Sequence, residues 1–141
     1  MSTSDGYGRV SRANHWIAAI AVIGLLTSGM ILGFDLLDRE ASRSLRGTHQ
    51  GIGALFFIFA LWRVTWRAIQ GFPPAITPVP SWQERAARMT HYALLMLLLI
   101  MPVSGLGSAL FRGRDLDVLG LFTLPTFGEA PAMARLAAQV H

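Results

Sequence analysis

Residues 47–69 read GTHQGIGALFFIFALWRVTWRAI. No charged residue interrupts the run between Gly47 and Trp62, and Arg63 and Arg67 fall in its last two turns. As a helix the segment rises ~35 Å at ~1.5 Å per residue, enough to cross a hydrocarbon core of ~30 Å. An imidazole, His49, stands at its mouth. An ionisable group in such a segment is costly and turns toward the bundle interior, so His49 is a functional candidate. At helical spacing from His49 come Gly53, Phe56, Ala60, Arg63 and Arg67, on roughly one face. Gly53 leaves space beside the imidazole for something large and flat. Arg63 and Arg67, at the far end of that face, suit the anionic groups of a second ligand. Snorkelling to lipid headgroups is the equally open reading.

The rest of the chain agrees with a membrane protein. Of 141 residues, 52% are hydrophobic and 14% charged, and the mean hydropathy is +0.45, well outside the balance of a soluble domain. The net charge is +4. The 12 basic residues are all arginine and flank apolar runs, which assigns them to headgroups and not to nucleic acid. Without cysteine, disulfides, thiolate metal sites, iron–sulfur clusters and covalently attached haem are excluded.

Residues 1–8 are small and polar, and are expected to be disordered. A charge-free run from His15 to Phe34 gives a first span, read as a retained anchor because it outruns a signal-peptide core and no cleavage motif follows. DLLDREASRSLRG, residues 35–47, reads as a charged loop. The segment from Gly47 to Ile69 is the second span. GFPPAITPVPSW, residues 71–82, is proline-rich and expected to be extended. Ser81 and Glu84 have capping-box spacing, which starts a third helix near Trp82. That helix continues through the charge-free stretch Met89–Phe111, with a kink expected at Pro102. RGRDLDVLGLFTLPTFGEAP, residues 112–131, reads as a loop, and Pro131 suits the first turn of a fourth helix. The expectation is an all-α membrane protein, one domain over residues 1–141, with three spans and the start of a fourth helix. Charge does not orient it, with six arginines on each side.

Threading the spans alternately sorts the four histidines into two depths. His15 and His91 fall toward the amino-terminal face, His49 and His141 toward the opposite face. Neutral imidazole is a good ligand for haem iron, and helix bundles build such sites from facing side chains. Two haems stacked across a membrane need this two-level arrangement, and Arg46 beside His49 suits a propionate. Interfacial polar histidines are the bland alternative. Zinc fits poorly, because each depth offers two histidines and no carboxylate at matched spacing. Trp16, Trp62, Trp66 and Trp82 suit the membrane interface, and Gly24, Gly29, Gly33, Gly105 and Gly107 suit helix packing.

At NHW (14–16), THQGIG (48–53), WRVTWR (62–67), HYALL (91–95), MPVSGL (101–106) and GLFTLP (120–125) the chain resembles the bacterial cytochrome b561 family. The likeness runs from Arg9 onward. It implies a four-helix inner-membrane bundle with two non-covalent b haems and a cytoplasmic amino terminus. It makes His15 an axial ligand of the cytoplasmic-side haem, and His49 and His141 the ligands of the periplasmic-side haem. The family's remaining ligand lies further along the fourth helix, beyond His141, so one haem site is expected to be incomplete in this chain and the sequence reads as a fragment or truncated product. His91, which depth alone would pair with His15, matches a non-ligand; with Arg63 and Arg67 it becomes a candidate propionate or quinone contact.

By the same resemblance the function is electron relay between the periplasmic side and ubiquinone. A superoxide:ubiquinone oxidoreductase is the first expectation. A haem-bearing anchor subunit of a hydrogenase or dehydrogenase, with a periplasmic electron donor, is the alternative, and a cofactor-free packing protein the third. Arg39, Arg43, Arg46, Arg112 and Arg114 favour steering of superoxide, but Asp35, Asp38, Glu40, Asp115 and Asp117 share their loops.

Overall fold

The computed structural model describes residues 9–70 and 80–141. Its elements are α1 (Arg9–Gly33), α2 (Arg39–Gln70), α3 (Ser81–Leu110), β1 (Leu116–Val118), β2 (Phe122–Leu124) and α4 (Pro131–Val140). Three segments, Arg12–Gly33, Arg39–Ile69 and Ser81–Leu110, are long and apolar enough to cross a membrane. The disorder expected for residues 1–8 and the extended linker expected at 71–79 lie outside the described residues.

α2 packs between α1 and α3, and α4 packs on α3. The residues buried between the helices are mostly small, among them Ala18, Ala54, Ala60, Ala109 and Ala134. Small residues let helices approach closely where lipid offers no hydrophobic drive to associate. The large side chains face outward instead, Ile20, Ile23, Leu94 and Met96 among them, as lipid contact requires.

The charged stretch 35–47 is not a loop throughout. α1 closes with Leu36 N–H donating to the Ile31 carbonyl at 3.2 Å across Asp35, whose φ is 50°, a Schellman-type ending. The Asp38 carboxylate then accepts the Ala41 N–H at 2.8 Å, and Glu40 lies in the first turn of α2, where negative charge suits the helix dipole. α2 therefore begins at Arg39, roughly two turns before its apolar run. The third helix does start at Ser81, without the capping box. Pro80 occupies the N-cap with no side-chain cap bond, which moves Ser81 into the helix, and Glu84 pairs with Arg88 one turn on. α3 runs to Leu110 with Pro102 inside it.

Residues 112–131 also hold more than a loop. β1 and β2 form an antiparallel hairpin with Leu116 opposite Leu124 and Val118 opposite Phe122. Arg112 bridges to Glu129 behind it. Along β1 the inward residues Leu116 and Val118 join Ala54, Ala109 and Leu110 in one apolar cluster, while Asp117 faces out. Positive φ at Leu119 (54°) and Gly120 (73°) gives the tight turn a twisted hairpin needs. Leu121 N–H donates to the Val118 carbonyl at 3.0 Å, and an Asp117 carboxylate oxygen accepts the Gly120 N–H at 3.0 Å. The hairpin lies on α2, where the Leu119 side chain sits over Gly51: a Cβ there would come within 2.9 Å of Leu119 Cγ.

Candidate cofactor site

His49 and His141 meet. Their ring centroids are 5.9 Å apart with an interplanar angle of 81°. Two metal–nitrogen bonds of ~2 Å plus the half-width of each ring put the centroids of opposed imidazole ligands ~6 Å apart. His49 comes from α2 and His141 follows the last turn of α4, its N–H donating to the Ala137 carbonyl at 3.1 Å.

One nitrogen of each ring is already engaged. His141 Nδ1 lies 2.8 Å from the Met101 carbonyl and 3.3 Å from Ser104 Oγ. A carbonyl only accepts, so Nδ1 of His141 carries the proton and Nε2 keeps its lone pair. His49 Nδ1 lies 2.8 Å from Ser28 Oγ. The Ser28 hydroxyl donates to the Leu25 carbonyl at 3.0 Å, which leaves its oxygen to accept from His49. The result is the Nδ1-protonated form in both rings, the form that binds a metal through Nε2.

A cleft of about 310 Å³ opens beside the pair, with Gly29, Gly33, Gly53 and Gly105 among its lining residues. Nothing stands within 4 Å of a Cβ placed on Gly53. Gly105 is different: a Cβ there would fall 2.8 Å from Cε1 of His141, so the ring's seat depends on a bare backbone. Arg46 and Arg112 also line the cleft.

The other expected residues lie elsewhere. Gly29 of α1 lies against His49 of α2, and Gly105 of α3 against His141, which sets one level of the bundle. Counting the same ~21 Å back along each helix leads to His15, Arg63 and His91, a second level at the amino-terminal end. His15 is exposed there, with its ring edge-on to Trp16 at 6.0 Å. Arg63 and Arg67 are half-buried and His91 is exposed. No group of three or more metal-binding side chains occurs among the described residues.

A profile of prokaryotic cytochrome b561 matches residues 6–141. The chain belongs to that family. It is 33% identical to "Cytochrome b561 homolog 2" of Escherichia coli over 99% of its own length and 75% of the relative's. To "Cytochrome b561 homolog 1" of the same organism it is 22% identical, over 90% and 72%. The b561 assignment makes it a multi-pass membrane b-type cytochrome and an electron-transfer protein. The residues here fit the family's haem b: His49 and His141 would hold it through imidazole nitrogens, and Arg46 and Arg112 would meet its carboxylates.

Sequence reasoning overlooked Ser28 and Ser104, and it counted Gly105 as a packing residue. The signal available was a polar side chain in an otherwise apolar span, which turns inward when it has a partner.

Proposed function

We propose that the protein relays electrons between the periplasmic side of a bacterial inner membrane and the quinone pool through haem b held by His49 and His141. The observation that carries this is the pair itself: two imidazoles 5.9 Å apart beside a glycine-lined cleft, each with Nδ1 engaged and Nε2 available. His49 and His141 would hold haem b through their Nε2 atoms, Arg46 and Arg112 would offset the charge of its carboxylates, and the bound group would supply one-electron redox chemistry. His15 is the chain's ligand toward a second haem at the cytoplasmic, amino-terminal level. Arg63, Arg67 and His91 contact that haem's propionates or the quinone.

The specific activity inferred is superoxide:ubiquinone oxidoreduction, in which two superoxide ions yield two dioxygen molecules while ubiquinone takes two electrons and two protons. Arg46 and Arg112 border the cleft, which supports approach of a small anion.

The test is a visible spectrum of the membrane-extracted protein, followed by quinone reduction driven by superoxide with no other protein present. A low-spin b-type spectrum and partner-free reduction are expected. Haem without that activity makes the protein the anchor of a larger dehydrogenase or hydrogenase. A colourless, folded preparation from haem-replete cells overturns the cytochrome reading for this chain.

A further inference from the structure

α1 contributes no ligand at the His49–His141 level, yet it touches the site through one polar atom. Ser28 Oγ stands 2.8 Å from His49 Nδ1 and 3.0 Å from the Leu25 carbonyl. The two contacts use the hydroxyl in opposite senses: its proton goes to the carbonyl, and its lone pair receives the imidazole N–H. Next to it, Gly29 keeps the helix surface low, with His49 Cε1 3.5 Å from where a Cβ would stand.

The two histidines are held differently. His141 donates to a main-chain carbonyl, which no side-chain substitution removes and which allows one tautomer only. His49 depends on a hydroxyl, which either accepts from Nδ1–H or turns its proton toward Nδ1. The second arrangement leaves the hydrogen on Nε2 and closes the nitrogen that the cofactor needs. The Leu25 carbonyl decides between them, because it draws the serine proton away.

We propose that Ser28 is a positioning residue for His49, selecting the tautomer that exposes Nε2 and strengthening the imidazole as an electron-pair donor. The inference rests on His49 being a haem ligand. An N–H donated to a good acceptor gives the ring partial anionic character, which favours the ferric over the ferrous iron. Removing the acceptor therefore weakens the iron–imidazole bond and moves the potential upward. Outer partners of metal-bound histidines typically contribute 10–100-fold to affinity.

The experiment uses haem-loaded, membrane-extracted protein and two readouts apart from activity: the rate of haem transfer to apomyoglobin and the midpoint potential by redox titration. Ser28→Ala should transfer this haem about tenfold faster and raise its potential. Ser28→Thr, which keeps a hydroxyl, should restore both, while Ser28→Val, of the same shape without it, should behave as Ser28→Ala. The Thr/Val comparison decides if the alanine variant fails to fold. Wild-type transfer rate and potential in Ser28→Val overturn the role of Ser28 and leave His49 as the ligand. Retention of the low-spin haem in His49→Ala overturns the ligand assignment beneath it.

Discussion

The imidazole of His141 rests against the bare Cα of Gly105, where a methyl group would stand 2.8 Å from Cε1 and 3.1 Å from Nδ1. No shift of a flexible tip relieves that contact, because the ring is also tied to the Met101 carbonyl. Gly105→Ala should keep the helical content measured by circular dichroism. It should lose haem from the His49–His141 site at least about tenfold faster to apomyoglobin, as for other losses of support around a metal ligand. A wild-type transfer rate would mean that His141 finds its ligating position without this seat.

The two histidine levels make different demands. His49→Ala should abolish the low-spin bis-histidine signal of its site in electron paramagnetic resonance of the oxidised protein. His91→Ala should not remove that signal or any other. Loss of a haem in His91→Ala would instead make His91, level with His15, the second site's ligand.

Arg63 and Arg67 stand one turn apart at the far end of α2, half-buried. Replacing both with glutamine should lower the midpoint potential of a haem at that level, because two positive charges that favour the added electron are gone. Redox titration of the haem-loaded protein measures it. Unchanged potential and unchanged quinone reduction would make the pair headgroup anchors.

The hairpin is fastened by one close approach. Gly51→Ala would drive a Cβ to 2.9 Å from Leu119 Cγ and 3.2 Å from the Leu119 backbone nitrogen. A loss of roughly 1–3 kcal/mol is expected, the usual range for overpacking, measured by unfolding in detergent. Leu119→Gly in the same chain should recover part of it, since the side chain under pressure is then absent and φ of 54° suits glycine. Simple additivity of the two changes would show that they are not in contact.

What the sequence disclosed followed from its strongest physical signals. Three apolar runs longer than a bilayer's core announced three spans, and Pro131 marked the fourth helix. Alternation of direction carried His49 and His141 to the same depth. The start of α2 was hidden because Arg39, Arg43 and Arg46 look like loop residues when apolar content alone is read; the Asp38 cap and Glu40 were the local signs. The hairpin was hidden because β1 and β2 are three residues each, too short to show alternation. Ser81 misled because Pro80, one residue earlier, takes the N-cap, and Glu84 reaches forward to Arg88 instead of back to the helix start. Ser28 and Gly105 acquire their roles from neighbours far along the chain, Ser28 from His49 and Gly105 from His141, and no local pattern encodes that.

Asp38→Ala tests the helix start directly. Loss of the Ala41 N–H acceptor should cost about 1 kcal/mol, seen as earlier thermal unfolding, with the haem spectrum unchanged because the cap lies about three turns from His49.

All four tryptophans of this chain, Trp16 at the start of α1, Trp62 and Trp66 near the end of α2, and Trp82 at the start of α3, stand at one end of the bundle, and all are substantially exposed. The other end carries phenylalanines in their place, Phe34, Phe111, Phe122 and Phe127. Indole emission therefore reports from a single leaflet. In sealed vesicles, iodide confined to the outer solution would quench only molecules whose amino-terminal end points outward, giving a direct optical measure of sidedness where six arginines face six.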